Sequence, residues 1–249
     1  EEKDNMVKTY VFGHKSPDSD SITSSLVMTN LEKALGNSEA EAYRLGNINK
    51  ETEFILNYLD MEAPELLESI DDGADVILVD HNSPAESVDN LENANILKVV
   101  DHHKLALETS YPLFLRFEPV GCSETILCKL YEENGVEISK EIATLMVSAI
   151  ISDTLLLKSP TTTEDDKLAV EKLAKIAEIN AEEYGLEMLK EIYERNIDVK
   201  VLILTIHNEI DYLMKAVEIG CNGYVLKDSE SSILIFTSTV SSGFTIPRS

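Results

Sequence analysis

Apolar positions along this chain fall into two alternating rhythms. Thr9 to Gly13 (TYVFG) is a short β-rich run closed by glycine, and from about Asp20 to Leu35 the apolar residues take helical spacing. The opening therefore reads strand, loop, helix. Further β-rich runs lie at Val76 to Val79 and Ile96 to Val100, with a helical Lys50 to Leu59 before them. Cys122 to Asn134, Ser139 to Ile151 and Glu164 to Ile179 carry helix periodicity, the last with Leu168, Leu173, Ile176 and Ile179 on its apolar side and Thr161 to Thr163 as N-cap candidates. Alternating β and α predicts an α/β fold, a mainly parallel sheet flanked by helices.

The pattern changes near residue 195. Val199 to Thr205 is a strongly apolar strand candidate, followed by a helical Glu209 to Ile219 and a short strand, Gly223 to Leu226. The remainder, Ser229 to Ser249, is rich in Ser and Thr with weak periodicity. The expected division is 1–192 as one domain and 193–249 as a small, partial α/β segment.

Composition narrows the classes. A chain of 249 residues with 43% hydrophobic content has enough apolar surface for a real core. No run approaches the roughly 18 apolar residues of a membrane span, and Glu1 to Asn5 has no positive signal-peptide region. A cytoplasmic protein without membrane partners is expected. The three cysteines, Cys122, Cys128 and Cys221, are scattered, which suits packing residues in a reducing compartment. A net charge of -25 repels nucleic acid, so a polyanionic substrate needs metal ions or a local basic patch.

Chemistry-bearing residues cluster just beyond predicted elements. Gly13-His14-Lys15-Ser16-Pro17-Asp18-Ser19-Asp20 follows the first strand, at the carboxyl end where open parallel sheets place ligands. Val79-Asp80-His81-Asn82 and Val99-Val100-Asp101-His102-His103 end later strands, and Ile151-Ser152-Asp153 ends an apolar helix. Each alone reads equally well as a polar turn or helix cap. Together they hold four of the five histidines, each beside or near an aspartate. Carboxylate oxygen with some imidazole nitrogen suits Mn²⁺, with Co²⁺ as the alternative. Two such ions about 3.5 to 4 Å apart can acidify a shared water and stabilise both attacking and leaving oxygens of a phosphoryl transfer. Neither a P-loop nor a dinucleotide glycine fingerprint occurs.

Read in order, GHKSPDSDSI, ILVDHN, VVDHH, EPVGCSETI and AIISDTLLLKSPTTT resemble the N-terminal domain of family II inorganic pyrophosphatases, members of the DHH phosphoesterase superfamily. The likeness is dense from Lys8 to Lys190 and includes RLGNINKETEF and AEEYGLEMLK. It implies one metal held by His14, Asp18 and Asp80 and a second held by Asp20, Asp80, His102 and Asp153, with Asp80 as the bridge. It also implies that His103 contacts pyrophosphate and protonates the leaving phosphate, that Asp101 orients the histidines, and that the protein is a homodimer. Lys158 would support its loop or touch substrate.

Family II pyrophosphatases continue into a second domain whose Ser-Arg-Lys-Lys motif grips the phosphates, and that motif does not occur in these residues. Arg195 to Ser231 instead resembles the last part of a response-regulator receiver domain, with Thr205 and Lys227 at its switch and phosphate-contacting positions. The acidic pair and phosphoacceptor of a complete receiver are not supplied after residue 190, so a structural remnant is expected. The resemblance thus implies a manganese-dependent diphosphatase that splits magnesium pyrophosphate into two orthophosphates, impaired by the missing cations. The alternatives are a DHH-type phosphoesterase with another substrate and a non-catalytic metal-binding protein.

Overall fold

A computed structural model describes residues 7–194, 202–205 and 223–226. The chain divides into two compact units, 1–188 and 189–249. The predicted helix 209–219, together with Cys221, Lys227 and the Ser/Thr-rich end, lies outside the described residues.

The first unit is built on a six-stranded parallel sheet. Its elements run β1 (Thr9–Phe12), α1 (Ser19–Ala34), β2 (Ala40–Arg44), α2 (Lys50–Tyr58), β3 (Glu65–Leu66), β4 (Asp75–Val79), β5 (Asn95–Asp101) and β6 (Phe114–Phe117). Helices α3 (Ser123–Glu133), α4 (Lys140–Asp153), α5 (Glu164–Ala177) and α6 (Ala181–Glu194) follow. The strand order is β3-β2-β1-β4-β5-β6, every neighbouring pair parallel.

Strand alternation divides the core between the two faces of the sheet. Val11, Ile77, Val79 and Val100 face a core shared with Ile22, Val27, Ile126, Leu127, Met146 and Ile150 from the helices. Phe12, Val76, Leu78 and Val99 face the other way, onto Tyr43, Leu67, Ile70, Val88 and Leu91, most of them from irregular segments and short 3₁₀ turns. The central strands β1, β4 and β5 are largely buried on both sides, which is why they read as apolar runs.

Local signals explain the helix ends. Thr163 caps α5 through a reciprocal capping box with Asp166. The buried face of α5 is Ala169, Val170, Leu173 and Ala177, so the expectation for Leu168 is corrected: it is 58% exposed. Five residues of helix turn Leu168 about 140° from Leu173, too far to share its face. After α4 the chain enters three consecutive left-handed residues, Leu155, Leu156 and Leu157, with φ of 49°, 55° and 62°. Such residues cost roughly 1–2 kcal/mol each. Leu156 is packed so closely on α6 that a Cβ at Gly185 would stand 2.4 Å from its Cδ2, which explains a glycine inside that helix.

In the second unit, β7 (Leu202–Thr205) and β8 (Gly223–Leu226) pair in parallel, Leu202 opposite Gly223 and Thr205 opposite Leu226.

Candidate metal centre

β1 lies between β2 and β4, so the chain changes direction across the sheet there and opens a crevice at the strands' carboxyl ends. His14 follows β1, Asp80 follows β4, and Asp101 closes the neighbouring β5. A Cβ at Gly13 would stand 2.0 Å from Ser21 Oγ, so only glycine lets β1 run this close to the first turn of α1. The compact loop between them ends at Asp18, the N-cap of α1, whose carboxylate accepts from the Ser21 amide at 3.0 Å. The same carboxylate lies 3.5 Å from His14 Nε2.

Asp80 is the hub. It is buried and left-handed, with φ of 57°, a conformation that aspartate tolerates better than most side chains. Its amide donates to the Val100 carbonyl at 3.0 Å, continuing the β4–β5 ladder. Its Oδ2 is 3.4 Å from His14 Nε2, while its Oδ1 is 3.3 Å from His102 Nε2 and accepts from Ser123 Oγ at 3.1 Å.

Three groups of potential ligand atoms, each within 4.8 Å mutually, occur among the described residues: His14, Asp18 and Asp80; Asp80, His102 and His103; and Asp20, Cys122 and Asp153. Asp80 belongs to the first two, and His102 Nε2 lies 3.8 Å from Asp20 Oδ2, linking the third. The six residues expected as ligands are therefore contiguous, though Asp20 and Asp153 group with Cys122 more closely than with Asp80.

Electrostatics in this cluster are strongly perturbed. Burial, then the Asp80 charge, pushes Asp20 up to about 7. Burial, then the charges of Asp20, Asp18 and Asp80, pushes Asp153 up to about 10. Burial also opposes ionisation of Asp80, but His102 and His14 outweigh it and hold that carboxyl well below the usual range. For His14, burial is outweighed by Asp18 and Asp80, raising it to about 11; for His102 it is outweighed by Asp80 and Asp20, raising it to about 9. Four carboxylates crowded this way, two of them wholly buried, are short of positive charge. Oxygen and imidazole nitrogen donors fit one or more divalent ions. Cys122, read from sequence as a packing residue, is buried in the core, and its thiol is pushed well up by burial and by Asp20, so it forms a neutral wall of the cluster.

Asp101 accepts from the His103 amide and lies 2.9 Å from its Nδ1. Its other oxygen takes a 2.6 Å hydrogen bond from Asn82 Nδ2. The bond to Asp101 raises the basicity of His103, whose side chain is half-exposed. His81 faces away: its ring nitrogens meet the Val79 carbonyl and Ser87 Oγ, and burial lowers its basicity.

Sequence reasoning passed over several contacts. Ser123, in the first turn of α3, donates its amide to Asp20 Oδ2 at 2.7 Å as well as its hydroxyl to Asp80. Ser24 donates to Asp20 Oδ1 at 2.8 Å, and Asn82 fixes Asp101. Ser123 and Asn82 stand inside the quoted EPVGCSETI and ILVDHN stretches, a signal that marked the segments without distinguishing these side chains.

Known proteins resemble this chain in sequence and in fold. Residues 164–237 match the response regulator receiver domain, a match that starts on α5, whose buried face belongs to the first unit's core. A Staphylococcus epidermidis protein named probable manganese-dependent inorganic pyrophosphatase is 56% identical over 186 residues, covering 74% of this chain and 60% of the relative. A protein of the same name from Oceanobacillus iheyensis is 54% identical with the same coverage. The chain thus spans about 60% of the length of the curated relatives it matches. The crystal structure of a Methanococcus jannaschii protein assigned to the family II inorganic pyrophosphatases has a TM-score of 0.68 at 43% identity, covering 74% of this chain and 61% of that one. An exopolyphosphatase-related protein from Bacteroides fragilis shares the fold at 15% identity, with a TM-score of 0.56 over 94% of this chain and 72% of its own. Residues 8–150, more than half of the sequence, match the DHH family, N-terminal domain, and with His102 and His103 of the Asp101-His102-His103 stretch grouped beside Asp80, the chain belongs to the DHH family.

Proposed function

We propose that this chain is the metal-binding catalytic part of a manganese-dependent inorganic diphosphatase, acting on magnesium pyrophosphate to give two orthophosphates. The observation that carries the reading is the convergence of His14 and His102 on the two oxygens of the buried Asp80. The names of the relatives supply the choice of Mn²⁺ and of pyrophosphate. In this reading His14, Asp18 and Asp80 hold one ion, and Asp20, Asp80, His102 and Asp153 hold the other. The ions would acidify a water and neutralise charge on the phosphoryl oxygens.

The chain's own residues supply the remaining chemistry. Asn82 holds Asp101, and Asp101 engages Nδ1 of His103. That leaves Nε2 as the ring nitrogen for a substrate oxygen, and the half-exposed His103 can give a proton to the departing phosphate. Ser123 and Ser24 hold the carboxylates of Asp80 and Asp20 in place. The catalytic part is residues 1–192, with 193–249 as a receiver-like remainder; a homodimer and a cytoplasmic location belong to the same proposal.

The test is phosphate release from pyrophosphate, with and without Mn²⁺, beside an Asp80→Asn control. We expect Mn²⁺-dependent release that the substitution abolishes. Turnover should be low, since these residues contain no Ser-Arg-Lys-Lys stretch and one missing charge-stabilising group can cost about 10²- to 10³-fold. Preference for a dinucleotide over pyrophosphate would replace the diphosphatase reading with a broader phosphoesterase. Metal binding without any hydrolysis would favour a non-catalytic role.

A further inference from the structure

Two of the carboxylate-bearing segments lie at helix ends far apart in sequence, and one side chain outside the cluster touches both. Ser19, between Asp18 and Asp20 at the start of α1, donates to Glu51 Oε1 at 2.6 Å. Ser152, beside Asp153 at the end of α4, donates to the same oxygen at 2.5 Å. Glu51 stands in the first turn of α2, where an acidic side chain is favoured by the helix dipole. Asn49 caps that turn, accepting from the Thr52 amide at 2.7 Å, and Thr52 Oγ1 lies 3.2 Å from Ser19 Oγ. The carboxylate is thus held from its own side by a capped helix and presents one oxygen to two hydroxyls.

We infer that Glu51 is a positioning residue that sets the spacing between Asp20 and Asp153 by tying the start of α1 to the end of α4. The inference rests on the two-ion reading above. The geometry makes the need specific. The three left-handed residues Leu155 to Leu157, which follow Thr154, give that end of α4 a strained exit, and α1 and α4 offer no direct side-chain hydrogen bond of their own among the described residues. A single acceptor shared by Ser19 and Ser152 defines a distance between the two helix ends that neither segment defines alone. Without it, only the apolar packing of α1 on α4 sets that distance, and apolar contacts are not directional.

The experiment is Mn²⁺ titration of the full chain, read by the room-temperature resonance of free Mn²⁺, on wild type, Glu51→Ala, Glu51→Gln and Ser152→Ala. Thermal unfolding of each metal-free protein accompanies it. Two ions should bind wild type. Glu51→Ala should weaken one of the two by about 10- to 100-fold, the effect known for residues that orient metal ligands. Ser152→Ala should weaken the same ion less, and Glu51→Gln, which keeps an acceptor oxygen, should restore most of the affinity. Two ions bound with wild-type affinity by Glu51→Ala would overturn the inference and leave the two-ion reading standing. Equal weakening in Glu51→Ala and Glu51→Gln would also overturn it, because charge and not the shared acceptor would then be responsible. If Glu51→Ala does not fold, Ser152→Ala decides: unchanged affinity there overturns the proposal. Failure of wild type to bind two ions overturns the metal reading itself.

Discussion

His14 Nε2 lies 3.4 Å from Asp80 Oδ2 because β1 and β4, distant in sequence, are neighbours in register, with Phe12 opposite Leu78. The carboxylate that His14 meets is also the one that His102 meets from the other side at 3.3 Å. A residue engaged from both sides at a left-handed turn has little freedom to move.

Asp80→Asn should therefore fold, since asparagine also tolerates the left-handed conformation, and yet lose at least about 100-fold in Mn²⁺-dependent hydrolysis. Circular dichroism and phosphate release, measured on the same preparation, check both halves. A folded variant with wild-type activity would remove Asp80 from the mechanism.

Metal loading should release protons. Without metal, His102 at about 9, His14 at about 11 and Asp153 at about 10 are protonated at neutral pH, and ligands must shed those protons to bind. Apparent Mn²⁺ affinity should rise with pH from 6 to 8, roughly tenfold per proton released per pH unit. Calorimetry in buffers of different ionisation enthalpy counts the protons; buffer-independent heats would contradict the assignment.

Glu124 should be a liability to stability. It is wholly buried on α3, both of its carboxylate oxygens lack a hydrogen bond, and the nearby hydroxyls of Thr23 and Ser24 direct their protons at Asp20. Burial, reinforced by Asp20, raises it well above the ordinary range. A group raised in the folded state contributes fully below its unfolded pKa, and that contribution is lost as pH climbs toward the folded value. Glu124→Met should stabilise the chelated protein by about 1–3 kcal/mol at pH 7.5 and flatten its loss of stability above pH 5. Urea unfolding at several pH values measures this; equal stability and slope for both proteins would refute it.

Asp101→Asn should act through His103. The carboxylate holds the imidazole's pKa up, so its neutralisation lowers it, and the alkaline limb of kcat, where His103 must keep its proton, should move to lower pH. We expect kcat to fall about 10- to 100-fold with two Mn²⁺ still bound. An unshifted profile would take the proton from elsewhere.

The elements that local chemistry dictates were legible along the chain. Thr163 announces α5, the apolar runs announce β1, β4, β5 and α4, and each chemistry-bearing segment stands at the end of one of these strands or of α4. β2 was hidden because its AEAYR sequence puts charge at Glu41 and Arg44 beside the buried Ala40 and Tyr43. β6 was hidden because FLRF is exposed along half its length, so it carries no burial pattern to read.

Sequence by itself determined the donor types, their place at the ends of strands and helices, and the polar or capping turns that hold them, because these depend on neighbours a few residues away. Only the tertiary structure decided that His14 and His102 share Asp80, that Ser123 touches both Asp20 and Asp80, and that Glu51 joins Ser19 to Ser152. Those contacts depend on strand order and helix packing, and no local pattern encodes which distant segment will arrive within hydrogen-bonding range.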